Sequence, residues 1–218
     1  MSERLCSLNE VVVTKRTKKR TYRLSARADS QAETRQRIVD AAIDLHEKLG
    51  PAHTPMSAIA EQAGVQRLTL YRHFPDEAAI LAACTAQWGA QHPFPEPALW
   101  DGIADPAARA AAALKAYYDY YAGTRRMWFV AYRDVGLVKP IQPLIGHVEA
   151  QLAELAETLA AAFRAKGGIL RDLTATLRHA LAYSAWASLE DRSLDTTAKV
   201  ALVARWLEGI RRTIKPRS

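Results

Sequence analysis

The chain has 218 residues, 49% of them hydrophobic and 24% charged, with a formal net charge of +7. That length allows a sizeable core in one or two small domains; no run reaches the roughly 18 apolar residues of a membrane span, and Val11–Val13 is too short for a secretory signal. Two cysteines, Cys6 and Cys84, form no disulfide framework and fit a reducing compartment, so a cytoplasmic protein without a membrane partner is expected.

Residues 1–28 carry eight Lys/Arg against two Glu, whereas residues 31–75 carry five of each sign. Nearly all the excess charge therefore sits in an N-terminal arm. The arm lacks apolar periodicity and is expected to be disordered. A basic arm suits a polyanion, nucleic acid foremost. On that reading Lys15, Arg16, Lys18, Lys19 and Arg20 contact DNA; the alternative is a solvated tail.

From Gln31 the pattern becomes helical, with Ile38, Ala41, Ala42, Leu45 and Leu49 on one face. Gly50-Pro51 stops this helix, and Thr54 with Pro55 opens the next as N-cap and first residue. Gly64 turns the chain into a short third helix over 66–73, and Asp76 caps a fourth running to about Trp88. Pro93-Phe94-Pro95-Glu96-Pro97 is non-helical. Further helices are expected over roughly 105–122, 125–137, 141–166, 170–190 and 195–213, giving an all-α protein of about nine helices. The expected division is an arm at 1–28, a three-helix DNA-binding domain at 29–75, and a ligand-binding and dimerisation domain at 76–218.

Two short helices joined by a glycine turn describe a helix-turn-helix. The second is anchored by Val65, Leu70 and Phe74, and its polar side offers Gln66, Arg67, Thr69, Arg72 and His73. Arg pairs with guanine and Gln with adenine in a major groove, while Thr69, Tyr71 and His73 are of types that hold phosphate. Leu68 either meets a thymine methyl or faces the protein. Thr54 joins this DNA-binding set.

The spacing Thr34-Arg35-x-x-Ile38, Ala41-Ala42, Leu45, Gly50, Thr54, Ile59-Ala60, Ala63-Gly64-Val65, Thr69-Leu70-Tyr71 and His73-Phe74 resembles the DNA-binding region of the tetracycline-repressor (TetR) family. Three positions depart from its usual pattern: His46 in place of a core Phe, Leu68 in place of a small residue, and Glu77 in place of a phosphate-binding Lys. His46 has two readings, a packing residue or a sensor. The resemblance implies a dimeric, ligand-responsive transcriptional regulator, most often a repressor, in which the last two long helices form a four-helix interface on a palindromic operator.

Val200, Val203, Leu207 and Ile210 recur at three- and four-residue steps beside a second row of Leu202, Trp206 and Gly209. The arc is wider than one buried face needs, which suits contact with both the chain's own core and a partner. Leu177, Leu181, Val203, Leu207 and Ile210 are the expected interface. The aromatics Trp88, Tyr117, Tyr121, Trp128, Tyr132, Tyr183 and Trp186 are the expected lining of a pocket for a small apolar or aromatic ligand, plain core packing being the alternative for many of them. Arg133, Arg178, His179, Asp119 and Asp134 are candidates to orient that ligand. An enzyme is the rival class, but the sequence holds no Gly-rich phosphate loop, nucleophile motif or metal-ligand histidine spacing, so no cofactor or metal is expected. Two further alternatives are an activator and a ligand-independent architectural DNA binder.

Overall fold

The computed structural model describes the backbone of residues 6–212 and the side chains of residues 28–212. Over the described residues the protein is all-α. Its helices are α1 (Cys6–Leu49), α2 (Met56–Gln62), α3 (Arg67–His73), α4 (Glu77–Gln91), α5 (Pro106–Asp134), α6 (Gln142–Ala161), α7 (Gly167–Leu181), α8 (Tyr183–Glu190) and α9 (Thr196–Arg212). None of them is long and apolar enough to cross a membrane.

The helix count agrees with expectation only because two boundary errors cancel. Helix α5 runs unbroken through Gly123, where the sequence pattern suggests a stop. An interior glycine costs a helix about 1 kcal/mol against alanine, too little to end a helix buried along one whole side. Conversely, the helix expected over 170–190 breaks at Ala182, whose backbone is extended. The reason lies in α5. The hydroxyl of Tyr118 donates to the Ala180 carbonyl at 3.0 Å and that of Tyr121 to the Leu181 carbonyl at 2.8 Å. These bonds satisfy carbonyls that a helix terminus would leave buried and unpaired.

The first helix is also longer than expected. It continues back to Cys6, so the backbone of residues 6–28, read as disordered, is helical. Between Cys6 and Leu49 there is neither proline nor glycine, and Lys, Arg, Leu and Ala favour helix. The first breakers in the chain are Gly50 and Pro51.

Two apolar clusters form the core. The smaller joins α1, α2, α3 and α4 through Ile38, Val39, Ala42, Ile59, Leu70, Phe74, Ile80 and Cys84. The larger joins α5, α6, α7, α8 and α9 around Tyr118, Tyr121, Leu159, Leu177, Trp186 and Val203. Each fully buried side chain of this size stabilises the fold by about 1.5–3 kcal/mol. Helix α4 serves both clusters: Ile80 and Cys84 belong to the first, Leu81 to the second. A displacement of α4 therefore moves both.

Candidate functional site

Helix α3 is presented as a reading surface by the packing beneath it. Leu70 and Phe74 are buried in the first cluster, and Val65 is packed against it. Gly64 adopts φ +66° in the turn after α2, a left-handed conformation that costs glycine little. The Val65 N–H donates to Ala60 O at 2.9 Å, which fixes the start of α3. Three contacts clamp the remaining faces. Arg37 Nη1 donates to Ala63 O at 3.2 Å, Gln62 Nε2 donates to Asp44 Oδ2 at 2.7 Å, and the Arg35 guanidinium lies 4.2 Å from the Phe74 ring centroid.

Outward from this platform stand Gln66, Arg67, Leu68, Tyr71 and Arg72, all exposed, flanked by half-buried Thr69 and His73. Leu68 is 73% exposed, so it does not face the protein. Arg67 Nη2 reaches the Tyr71 hydroxyl at 3.4 Å and lies over the same ring, which aligns the two side chains. Arg72 has no ion-pair partner among the described residues. The result is a seven-residue helix with bidentate donors and one apolar tip, of a size that enters a major groove.

Thr54 leaves this set. It is 6% exposed, and its hydroxyl donates to Gly50 O at 2.8 Å. The N-cap position of α2 falls instead on Pro55, with no side-chain cap. The β-hydroxyl turns back because the preceding Pro51–His53 turn offers it a buried carbonyl. The side chains of Lys15, Arg16, Lys18, Lys19 and Arg20 lie outside the described ones.

If α3 reads bases, Arg72→Ala should relax preference at one base position by about 1–3 kcal/mol. Tyr71→Phe should weaken binding to all sequences alike, since a phosphate contact carries no sequence information. Affinities for selected and scrambled duplexes separate the two. Equal losses on both for Arg72→Ala would remove it from base reading.

The second feature is a cavity of about 340 Å³ between the head and the body. Its walls are Ile43 and His46 of α1, Leu81, Cys84, Thr85 and Trp88 of α4, Met127, Trp128 and Ala131 of α5, and Leu144, Ile145, His147, Val148 and Gln151 of α6. Pro51, Phe94 and Ile141 complete it. Of the seven aromatics expected to line a pocket, Trp88 and Trp128 do so here. Tyr117, Tyr121, Tyr132, Tyr183 and Trp186 do not. They pack on one another instead, as in the stacked pair Tyr132–Tyr183 with centroids 5.4 Å apart. Two of the hydroxyls are also used internally: Tyr183 donates to Arg125 O at 3.1 Å, and Tyr121 donates to the Leu181 carbonyl at the end of α7. The aliphatic walls from α1, α4 and α6 carry no composition signal of their own, which is why the sequence does not disclose them. None of Arg133, Arg178, His179, Asp119 and Asp134 lines this cavity.

His46 is 5% exposed and lines the cavity. Burial lowers its pKa to about 4, against a weaker opposing pull from Asp134, so the imidazole is neutral near pH 7. Cys84, also in the lining, has its thiol pushed up to about 12 by burial. Such a thiol is not a reactive thiolate.

Beside His46, α5 is tied to the turn that leads into α2. Asp134 is fully buried; its Oδ2 accepts from the Ala52 N–H at 3.0 Å and its Oδ1 from Arg133 Nε at 2.7 Å. Arg133 Nη2 donates to Leu49 O at 2.6 Å, and Arg126 Nε donates to Glu47 O at 3.0 Å. Burial pushes the Asp134 carboxyl upward, but the bonds from Arg133 and Ala52 outweigh it and hold it below the usual carboxylate range. The end of α1 and the end of α5 thus form one joint, next to the cavity.

The expected dimer residues are corrected by burial. Leu177, Leu181 and Val203 are 0% exposed and Leu207 is 3% exposed within a single chain, so they are its own core. Only Ile210 is half-buried. The adjacent row faces outward: Leu202 is half-buried and Trp206 is 39% exposed. Spacing alone cannot say which of two adjacent apolar rows turns inward.

Residues 38–84 match the family model described as bacterial regulatory proteins, tetR family. The chain is similar to the HTH-type transcriptional repressor KstR of Rhodococcus jostii (strain RHA1), with 40% identity over 60 residues, 28% of each chain. It is 41% identical over 61 residues to the HTH-type transcriptional regulator SrpR of Pseudomonas putida, again 28% of each chain. These matches span less than a third of the relatives' length. Along most of the chain, the fold is shared with a TetR-like transcriptional regulator from Rhodococcus sp. RHA1. That likeness has a TM-score of 0.59 at 20% identity and covers 84% of this chain and 97% of that one.

Proposed function

We propose, on the premise that this chain belongs to the tetR family of bacterial regulatory proteins, that it is a cytoplasmic homodimeric transcriptional repressor released from a palindromic operator by a small apolar or aromatic molecule. The observation that carries this reading is the composition of the cavity wall. Its residues come from α1 and α4, which support the reading helix, as well as from α5 and α6 of the body. A molecule filling the cavity therefore bears on the elements that position α3. A difference of 1–3 kcal/mol in its affinity for two head positions changes DNA affinity about 5- to 150-fold. The KstR relative is named a repressor, which favours repression over activation. The row at Leu202 and Trp206 is the surface we place against the partner subunit, because it is the part of the α9 apolar arc that the chain's own core leaves uncovered.

Selection of bound sequences from random DNA tests the DNA reading and the dimer together. The expected product is an inverted repeat with half-sites about 34–36 Å apart, one turn of duplex, or a multiple of that spacing. Recovery of a single unpaired half-site would refute the dimeric reading. Recovery of no preferred sequence would favour an architectural binder.

A further inference from the structure

We propose that His46 reads the polar group of the effector, and that the effector is an uncharged, mostly apolar molecule whose one hydrogen-bonding oxygen meets this imidazole inside the cavity. The inference rests on the cavity being the effector site. Three observations lead to it.

The first is an unpartnered polar side chain. His46 is 5% exposed and lines the cavity, and its ring makes no hydrogen bond among the described residues; the Trp128 indole Nε1, in the same lining, is buried and likewise unpartnered. Buried polar groups in native proteins are nearly always paired, and an exception calls for a missing partner. A neutral imidazole offers one N–H donor and one acceptor nitrogen, so a hydroxyl or a carbonyl oxygen completes it. The second observation is the absence of charge. No Lys, Arg, Asp or Glu lines the cavity. An anion would have no cation to meet except a protonated His46, whose charge burial opposes. A cation would have only Asp134 nearby, and that carboxylate is committed to Arg133 and the Ala52 N–H. The third is placement. Thr85, His147 and Gln151, the other polar side chains of the lining by residue type, are exposed and stay hydrated. The polar groups buried in the lining are His46, the Trp128 indole N–H and the Cys84 thiol, and of these His46 lies one turn before the end of α1 and its joint to α5. A bond to it is thus made beside the link between body and head.

Four probes with one apolar body test this: naphthalene, 2-naphthol, 2-naphthoate and 2-naphthylmethylamine. Binding to the full-length protein at pH 7 is measured by calorimetry, with the His46 ring nitrogens followed by 15N NMR. The expected result is that 2-naphthol binds about tenfold more tightly than naphthalene and than either ion, and shifts the His46 ring signals. In His46→Phe the 2-naphthol affinity should fall to that of naphthalene, which itself stays within about threefold. His46→Gln, which keeps hydrogen-bonding capacity, should retain part of the preference. The ranking in the unaltered protein stands even if a variant fails to fold. Tightest binding by either ion, a 2-naphthol preference that survives His46→Phe, or no binding by any probe would overturn the proposal. Operator affinity measured alongside separates the two readings. Probes that bind with the expected ranking but leave DNA affinity unchanged uphold His46 as reader and overturn the effector role of the cavity. Probes that release DNA without dependence on His46 do the reverse.

Discussion

Gly50→Ala is expected to lower the free energy of unfolding by about 3 kcal/mol, a large share of the 5–15 kcal/mol typical of a folded domain. Gly50 has φ +87° and ψ 153°, a combination almost confined to glycine, and forcing another residue into it costs about 1–3 kcal/mol. Space is also lacking. A Cβ built there would overlap Arg133 Nη2 and Asp134 Oδ2, the two groups that join α5 to the turn after α1. Moving them aside separates Asp134 from the Ala52 N–H and Arg133 from the Leu49 carbonyl. An unpaired buried donor adds about 1–3 kcal/mol of its own. Arg133→Ala should cost less, because its side chain is 39% exposed and the Asp134 carboxylate keeps the Ala52 bond. Urea unfolding of the three proteins gives the comparison. A Gly50→Ala loss below about 1 kcal/mol would mean that the joint is loose enough to yield, and that it does not transmit movement between body and head.

The same joint shows where sequence reasoning reaches its limit. The reading head was legible because its signals are local. Gly64 turns at a positive φ, Asp76 accepts from the Ala79 N–H as an N-cap, and the apolar spacing through Phe74 names the buried side. The cavity was not legible, because its walls come from four helices distant in sequence and seven of the seventeen lining residues are plain aliphatics without a signal of their own. Aromatic density misled for a related reason. Tyr118 and Tyr121 are rich in signal but are spent on the carbonyls that end α7. His46 was visible as a departure from a family pattern. Its proposed role depends on knowing that its ring makes no hydrogen bond among the described residues and that a cavity lies against it. Leu207 and Trp206 are neighbours in the sequence; only packing shows that one is core and the other surface.

Removal of residues 1–28 is expected to weaken DNA binding strongly at physiological salt, for operator and unrelated DNA together. The charge balance of the head supplies the reason. Residues 31–75 are neutral overall. Of their five cations, Lys48 pairs with Asp44, Arg37 holds the Ala63 carbonyl and Arg35 stacks on Phe74. Arg67 and Arg72 remain on the reading helix, and Glu77 at the start of α4 repels phosphate. Yet the phosphate field dominates DNA affinity, and a protein that makes several contacts loses orders of magnitude in binding over a modest rise in salt. Seven Lys/Arg lie between Lys15 and Arg27. The backbone there continues α1 as helix, and residues 6–28 span about 35 Å at 1.5 Å per residue, close to one turn of duplex. Positions 16, 20, 23 and 27, all arginine, recur at steps of four, three and four. Engagement of four phosphates by this segment would contribute about 3.6 to the slope of log affinity against log salt, at about 0.9 per contact. The truncated protein should show a slope flatter by that order, with dimerisation and probe binding unchanged, since the cavity lining begins at Ile43. Binding titrations at a series of salt concentrations measure it directly. An identical slope in both proteins would mean that the extension lies in solvent and that the head finds its cations elsewhere.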